Sequence, residues 1–353
     1  MPVFSPDPDP RADLAACRAT LRHGSRTFLA ASLLLPSAVR DAACSLYAFC
    51  RQADDEIDLG SDPAQAHAGL TERLACLYHG RPWPSPVDRA LARIVEQYGI
   101  PQPLLQALLE GFAWDASGRQ YDTESDLLAY ASRVAGSVGV MMALLMGQRT
   151  PHVLARAADL GIAMQLTNVA RDVGEDARNG RLYLPRQWLR AAGVDPEAWL
   201  ARPVFDAAIG TVVARLLQTA DGLYRRADCG IAQLPVACRP GVNAARTLYW
   251  AIGGEVERRG MDSVSDRAFV PPARKLALLG TSLAKVFLPA PHVDALALAE
   301  AQHLIDSVMA EPGLRPPQPA ESRIVWVIDL FDRLERRERA RPVLAHRQRS
   351  ASA

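Results

Sequence analysis

Apolar residues recur in threes and fours along almost the whole chain. From Ser37, just after Pro36, they fall at Val39, Ala42, Ala43, Leu46, Tyr47, Phe49 and Cys50, one face of a helix that runs toward Gly60. The same period predicts helices over 11–23, 64–79, 86–98, 102–118, 124–146 and 151–178. It predicts more over 204–228, 241–258, 272–288, 293–310 and 320–340. Proline and glycine punctuate them at 81–86, 99–101, 147–151 and 271–272. No run of short alternating segments predicts a sheet, so the expected fold class is all-α. The loops are short and no repeat period appears, which predicts a single helical domain.

Composition changes this picture only at the margins. At 353 residues, 49% hydrophobic and 22% charged, the chain is neither collagenous nor disordered. A net charge of +1 argues against a protein built around nucleic-acid phosphates, though a basic surplus could be local, and no nucleic acid is expected as a partner. Only Lys275 and Lys285 among the basic residues are lysine; the rest are arginine, a bias that suits phosphate wherever arginines gather. The first ten residues resemble no signal peptide, and no stretch reaches the eighteen or so apolar residues that a spanning helix needs. The six cysteines form no CxxC pair and read as reduced core residues of a cytoplasmic protein. Seven histidines without ligand spacing argue against zinc.

The informative feature is a pair of DxxxD motifs. Asp54 and Asp58 form the first; Asp172 and Asp176 form the second, with Asn168 one turn upstream. A spacing of four stacks like charges on one helix face, about 6 Å apart, which costs a few tenths of a kcal/mol each. Both pairs also approach a predicted helix C-terminus, before Gly60 and Gly180, where the macrodipole disfavours anions. A solvated acidic face is the bland alternative, and Asp122–Asp126 is read that way, as surface and N-cap. The two clusters differ in their apolar flanks, Leu46 to Cys50 and Ile162 to Val169, which imply a cavity wall. Oxygen donors without His or Cys suit Mg²⁺ or Mn²⁺, which complete their shells with water and phosphate.

Cations accompany the acids. Arg51 precedes Asp54 by three and Arg171 adjoins Asp172, while Arg26, Arg267 and Lys275 lie further off. Each alone reads as a surface ion pair; together they could neutralise a leaving diphosphate. The 23–28 stretch, with Ser25 and Thr27, offers hydroxyl and backbone donors and has no Walker pattern. Gly136 and Gly139 lie inside a helical stretch, so they are read as letting a helix bend or a flat chain approach rather than as a Rossmann turn.

At these residues the sequence resembles the head-to-head trans-isoprenyl diphosphate synthases, the squalene and phytoene synthase family, and within it the bacterial phytoene synthases. The resemblance rests on Ser25-Arg26-Thr27-Phe28 and on Leu46-Tyr47-Ala48-Phe49-Cys50-Arg51. It continues through 130–139, Gln165-Leu166-Thr167-Asn168-Val169-Ala170-Arg171-Asp172 and 178–185. It covers 14–290 as the catalytic domain, leaving 1–13 as a mobile arm, 291–340 as a C-terminal helical extension and 341–353 as a disordered tail.

The resemblance implies an isoprenoid-synthase domain around a central cavity with two Asp-rich walls. Asp54, Asp58, Asn168, Asp172 and Asp176 would ligate two or three Mg²⁺ (or Mn²⁺) ions. Ser25, Arg26, Thr27, Tyr47, Arg51, Gln165, Arg171, Tyr249, Arg267 and Lys275 would hold diphosphate, and no NADPH is expected. The implied substrate is two geranylgeranyl diphosphates, joined through a cyclopropyl diphosphate. A squalene-type product from farnesyl diphosphate stays open, as does, more remotely, a non-catalytic assembly protein of the same fold. A water-insoluble product implies a cytoplasmic enzyme in peripheral contact with a membrane surface, for which 276–291 is one stretch, and contact with other carotenoid-pathway enzymes.

Overall fold

The computed structural model describes residues 9–24, 26–58, 60, 62–284 and 295–311, and among them it contains helices and no strand. The first six helices are α1 (Pro10–Gly24), α2 (Arg26–Ser32), α3 (Ser37–Asp58), α4 (Pro63–Tyr78), α5 (Pro86–Tyr98) and α6 (Gln102–Ala116). Next come α7 (Glu124–Ala131), α8 (Ser137–Leu145), α9 (Pro151–Arg178), α10 (Arg186–Ala191) and α11 (Pro196–Ala201). The series closes with α12 (Ala207–Ile231), α13 (Arg239–Arg258), α14 (Pro272–Ala284) and α15 (Gln302–Ala310).

Helix α9 is the axis of the fold. Proline at its first position and Gly180 just past its end, in the left-handed conformation, delimit it. Between them Leu154, Ala158, Ile162, Leu166, Ala170 and Val173 are buried at helical spacing, and α8, α12 and α13 pack around them. Ile162 and Leu166 are fully buried, so truncating either to Ala would cost about 2–5 kcal/mol. Gly161 lies against the Ala135 carbonyl, where a Cβ would collide with the backbone. A π-helical turn, Ser132–Gly136, joins α7 to α8.

Local signals explain most helix ends. Ser85 caps α5 ahead of Pro86, and its side chain accepts from the Asp88 N–H. At α7 the cap is Thr123; Asp126 reaches back to the Thr123 N–H at 2.9 Å, so this acid is structural, as its spacing partner Asp122 is exposed.

Four expectations need correction. The arm does not extend to residue 13, because Pro10 opens α1 and Asp13, 1% exposed, bonds Arg89 and Arg93 of α5. The helix expected over 293–310 starts only at Ala299. Ala295 and Leu296 stay non-helical, with carbonyls accepting from the buried Arg156 and from Arg226. Helix α2 and the short α10 and α11 were not foreseen; each has seven residues or fewer, too short to show a period. Finally, Glu124–Leu145 is long and apolar enough on those criteria to cross a membrane, although most of its apolar stretch is buried in this core. Of the expected extension over 291–340 only 295–311 is described; residues 285–294 and 312–353, with the expected tail, lie outside the described residues.

Candidate active site

The acid motifs end their helices as expected: Asp58 is the last residue of α3, and Asp176 lies in the last turn of α9. On α3, Arg51 bonds Asp54 at 3.2 Å and Asp55 at 2.5 Å. On α9, Arg171 bonds Asp172 at 2.7 Å, and Arg267 joins the same carboxylate at 2.8 Å while reaching Glu175 at 3.2 Å. Arg267 arrives on the loop after α13. That loop lies on α9 because Gly174 has no side chain; a Cβ there would strike the Val264 backbone, and the Gly174 N–H instead donates to the Ser263 carbonyl at 3.0 Å. The two rows face each other, since Arg181, just past α9, donates to Asp58 at 2.8 Å.

Charge in the rows is not balanced. Burial, with the neighbouring Asp58 charge next, pushes Asp54 up to about 6 despite Arg51. Burial and then Asp172 push Asp176 up to about 7. Arg171 is driven the other way: burial opposes its charge, but Asp172 more than offsets that and raises its pKa. Among the described residues no three His, Cys, Asp or Glu converge closely enough to enclose an ion by themselves.

Behind the rows lies an apolar cavity of about 290 Å³. Along α9 its wall runs from Val153 through Ala157, Leu160 and Met164 to Gln165 and Asn168, one turn short of Asp172. Along α3 it runs through Ala43, Leu46 and Tyr47 to Cys50, one turn short of Asp54. Tyr249 from α13 completes the polar neck, and Ala31 and Ser32 of α2 add to the wall. An elongated apolar tail inside and an anionic head among arginines and acids is what this shape accepts.

The structure thus gathers Asp54, Asp58, Asp172, Asp176, Arg51, Arg171 and Arg267 at the rows, and Tyr47, Gln165, Asn168 and Tyr249 at the neck. Lys275, in the first turn of α14, pairs with neither row. Ser25 and the side chains of Arg26 and Thr27 lie outside the described residues. Sequence reasoning missed Asp115, whose carboxylate accepts from the Tyr130 hydroxyl at 2.6 Å and from the Tyr183 hydroxyl at 2.7 Å. Burial raises its pKa, and its charge is felt at Asp54 and Asp176. The signal existed, because Asp115 is an acid in the last turn of an apolar helix, the same penalty that exposed the two rows.

Among the described residues, a helical shell with facing acid rows over an apolar cavity defines a site for an anionic head on an apolar tail. The chain belongs to the squalene/phytoene synthase family, whose model matches residues 21–274. It is 47% identical to a phytoene synthase of Cereibacter sphaeroides, over 92% of this chain and 95% of the relative. It is 50% identical to one of Rhodobacter capsulatus, over 86% and 92%. Among solved structures, a dehydrosqualene synthase superposes with a TM-score of 0.72 at 30% identity, covering 78% of this chain and 98% of the other. A squalene synthase of Alicyclobacillus acidocaldarius gives 0.66 at 26%, covering 71% and 95%.

Proposed function

We propose that this chain is a phytoene synthase that joins two geranylgeranyl diphosphates head to head. In the first half the C1–O bond of one substrate breaks and its diphosphate leaves; C1 bonds to both carbons of the other substrate's double bond and loses a proton, and a cyclopropyl diphosphate results. In the second half its carbon–oxygen bond breaks, the cation rearranges, and a proton and the second diphosphate depart. The observation that carries the reading is the apolar cavity whose neck lies one helical turn from both acid rows. Relatives named phytoene synthase, at 47% and 50% identity over most of the chain, favour the C40 product over the products that the solved structures' names imply.

A divalent cation, Mg²⁺ or Mn²⁺, belongs to this proposal. The donor set fits one: Asp54 and Asp176 sit in excess negative charge, every donor is oxygen, and Asn168 extends the second row. Asp54, Asp58, Asn168, Asp172 and Asp176 would hold the ions, which when bound stabilise the charge on departing diphosphate. The chain's own residues do the rest. Arg51, Arg171 and Arg267 donate to diphosphate oxygens, and Tyr47, Gln165 and Tyr249 orient the head at the neck. The cavity wall excludes water from the cations. Ser25, Arg26, Thr27 and Lys275 enter as diphosphate ligands on the family resemblance alone.

Purified protein incubated with Mg²⁺ and either geranylgeranyl or farnesyl diphosphate, with and without NADPH, tests the reading. Phytoene from the C20 substrate without NADPH is expected; hydrocarbon from the C15 substrate only would overturn it. Membrane contact belongs to the same proposal, supported by Phe269, 66% exposed in the loop before α14, and Leu276, 40% exposed in α14. Flotation with liposomes checks it, and protein that stays wholly soluble, with activity indifferent to lipid, would remove it.

A further inference from the structure

Arg181 occupies an unusual place. Its N–H is fixed to the Asp176 carbonyl at 2.9 Å in the turn that closes α9, while its guanidinium crosses to Asp58 of α3 at 2.8 Å. It therefore ties one acid row to the other, and both partners of that ion pair are about a third exposed. On its other side lies a second cavity, about 90 Å³, lined by Arg181 itself with Asp115, Arg119, Tyr183 and Glu197. Asp115 receives two tyrosine hydroxyls there but no ion pair from any described residue. A flexible arginine thus has one carboxylate that it holds and a second that shares its cavity.

Resting on the metal-dependent reading above, the geometry points to Arg181 as a two-position residue. It pairs with Asp58 while no metal is bound, and it withdraws into the side cavity toward Asp115 when a divalent cation takes Asp58. The guanidinium stands in for the cation and keeps the rows together against their own repulsion. Asp115, held in place by Tyr130 and Tyr183, is the positioning residue that gives the displaced charge somewhere to go. Burial raises the Asp115 pKa and the Arg181 charge opposes that rise, which agrees with a carboxylate suited to receive it. Cation binding and release of the Arg181–Asp58 tie become one event.

The prediction has opposite signs for the two residues, which a merely structural role would not produce. Mn²⁺ binding is followed by electron paramagnetic resonance on the full chain, without substrate and with inorganic diphosphate. Arg181→Gln removes the competitor for Asp58 and should tighten Mn²⁺ binding to the substrate-free protein about tenfold. Asp115→Asn removes the resting place and should weaken it severalfold, and that weakening should vanish in the Arg181→Gln background. Arg181→Lys keeps a cation and should stay near the parent. Equal or weaker Mn²⁺ binding in Arg181→Gln would overturn the two-position assignment alone. No Mn²⁺ binding by the parent, even with diphosphate, would overturn the metal reading and this one with it. Where Asp115→Asn fails to fold, Tyr183→Phe is read instead; it frees one Asp115 oxygen for Arg181 and should tighten Mn²⁺ binding, and unchanged or weaker binding would overturn the assignment.

Discussion

Asp13 and Asp176 are both acids near the ends of helices, and they are treated in opposite ways. Asp13, in the first turn of α1 and 1% exposed, is met by Arg89 and Arg93. Burial opposes its charge, yet the two arginines more than offset this and hold its pKa below the ordinary value. Asp176 also pays for burial, but its next neighbour is Asp172, and its pKa rises to about 7. Where a charge belongs to the scaffold, the fold supplies counter-charges until the ion is favoured. At the rows the fold stops short, leaving negative charge that something from outside must complete. The difference separates charges that hold α1 to α5 from charges kept for binding.

The largest test sets the two kinds of acid side by side. Asp54→Asn or Asp172→Asn should lower turnover by at least about a thousandfold, because each removes a group that acts on the departing diphosphate. The melting temperature should hold or rise in Asp54→Asn, whose ionised form is disfavoured, and fall in Asp172→Asn, which leaves Arg171 and Arg267 without their shared partner. Asp13→Asn should do the reverse: about 2–4 kcal/mol of stability lost, since two arginines are left without their partner, and normal turnover per folded molecule. Steady-state rates with thermal melts on all three variants check it. A dead but folded Asp13→Asn would break the division.

The pH dependence of metal-free protein comes next. The folded state binds a proton at Asp176 more tightly than the unfolded chain does, so ionising it costs stability. That cost is absent below about pH 4 and complete above about pH 7. Asp176→Asn should therefore stabilise the metal-free protein at pH 8, on the order of 1–2 kcal/mol after allowance for solvent, and make no difference at pH 4. Asp13 behaves oppositely: its stabilisation is present above about pH 4 and fades as pH falls through its lowered pKa. Urea titrations in chelator at the two pH values decide the sign. A destabilised Asp176→Asn at pH 8 would mean the acid row is already satisfied.

The same contrast explains what the sequence made legible. Asp54, Asp58, Asp172 and Asp176 could be found because spacing and helix-end position mark an energetic penalty without any coordinates. Long helices such as α9 were legible because their buried face repeats over many turns. Asp115 and Arg181 were not, since their significance lies in partners remote along the chain: Arg181 meets Asp58 across 123 residues, and Asp115 meets Tyr183 across 68. The break at 295–298 escaped for a similar reason, because apolar spacing cannot show that Arg156 and Arg226 supply donors to its carbonyls. Asp13 read as part of an arm because four prolines precede it in a short start, while the arginines that pair with it lie 76 and 80 residues away.

A smaller effect separates the two halves of the reaction. Arg171 and Arg267 both bond Asp172, so each can grip diphosphate only by leaving an acid that a cation then neutralises. Replacing either with Gln removes about one charge-assisted contact, on the order of 2 kcal/mol, or roughly thirtyfold in rate. The cyclopropyl diphosphate must be held until it ionises, so these variants should release some of it, or its water-captured alcohol, while still consuming substrate. Chromatography after phosphatase treatment reads this directly. Slow formation of phytoene with no trapped intermediate would confine both arginines to initial binding.

The smallest expected effect is the control that gives the comparison its scale. Arg225 bonds Asp221 at 2.9 Å, one turn apart on α12, with side chains 71% and 40% exposed. Water screens both charges, and Asp221 keeps a second partner in the Trp250 indole N–H at 3.0 Å. Arg225→Gln should therefore shift stability by less than about 0.5 kcal/mol and leave turnover unchanged. The ion pair matches those of Asp13 in chemistry and nearly in distance; what differs is that Asp13 is buried and has a second arginine. A loss as large as that of Asp13→Asn would show that pairing itself, rather than burial of the paired acid, sets the energetics of these arginines.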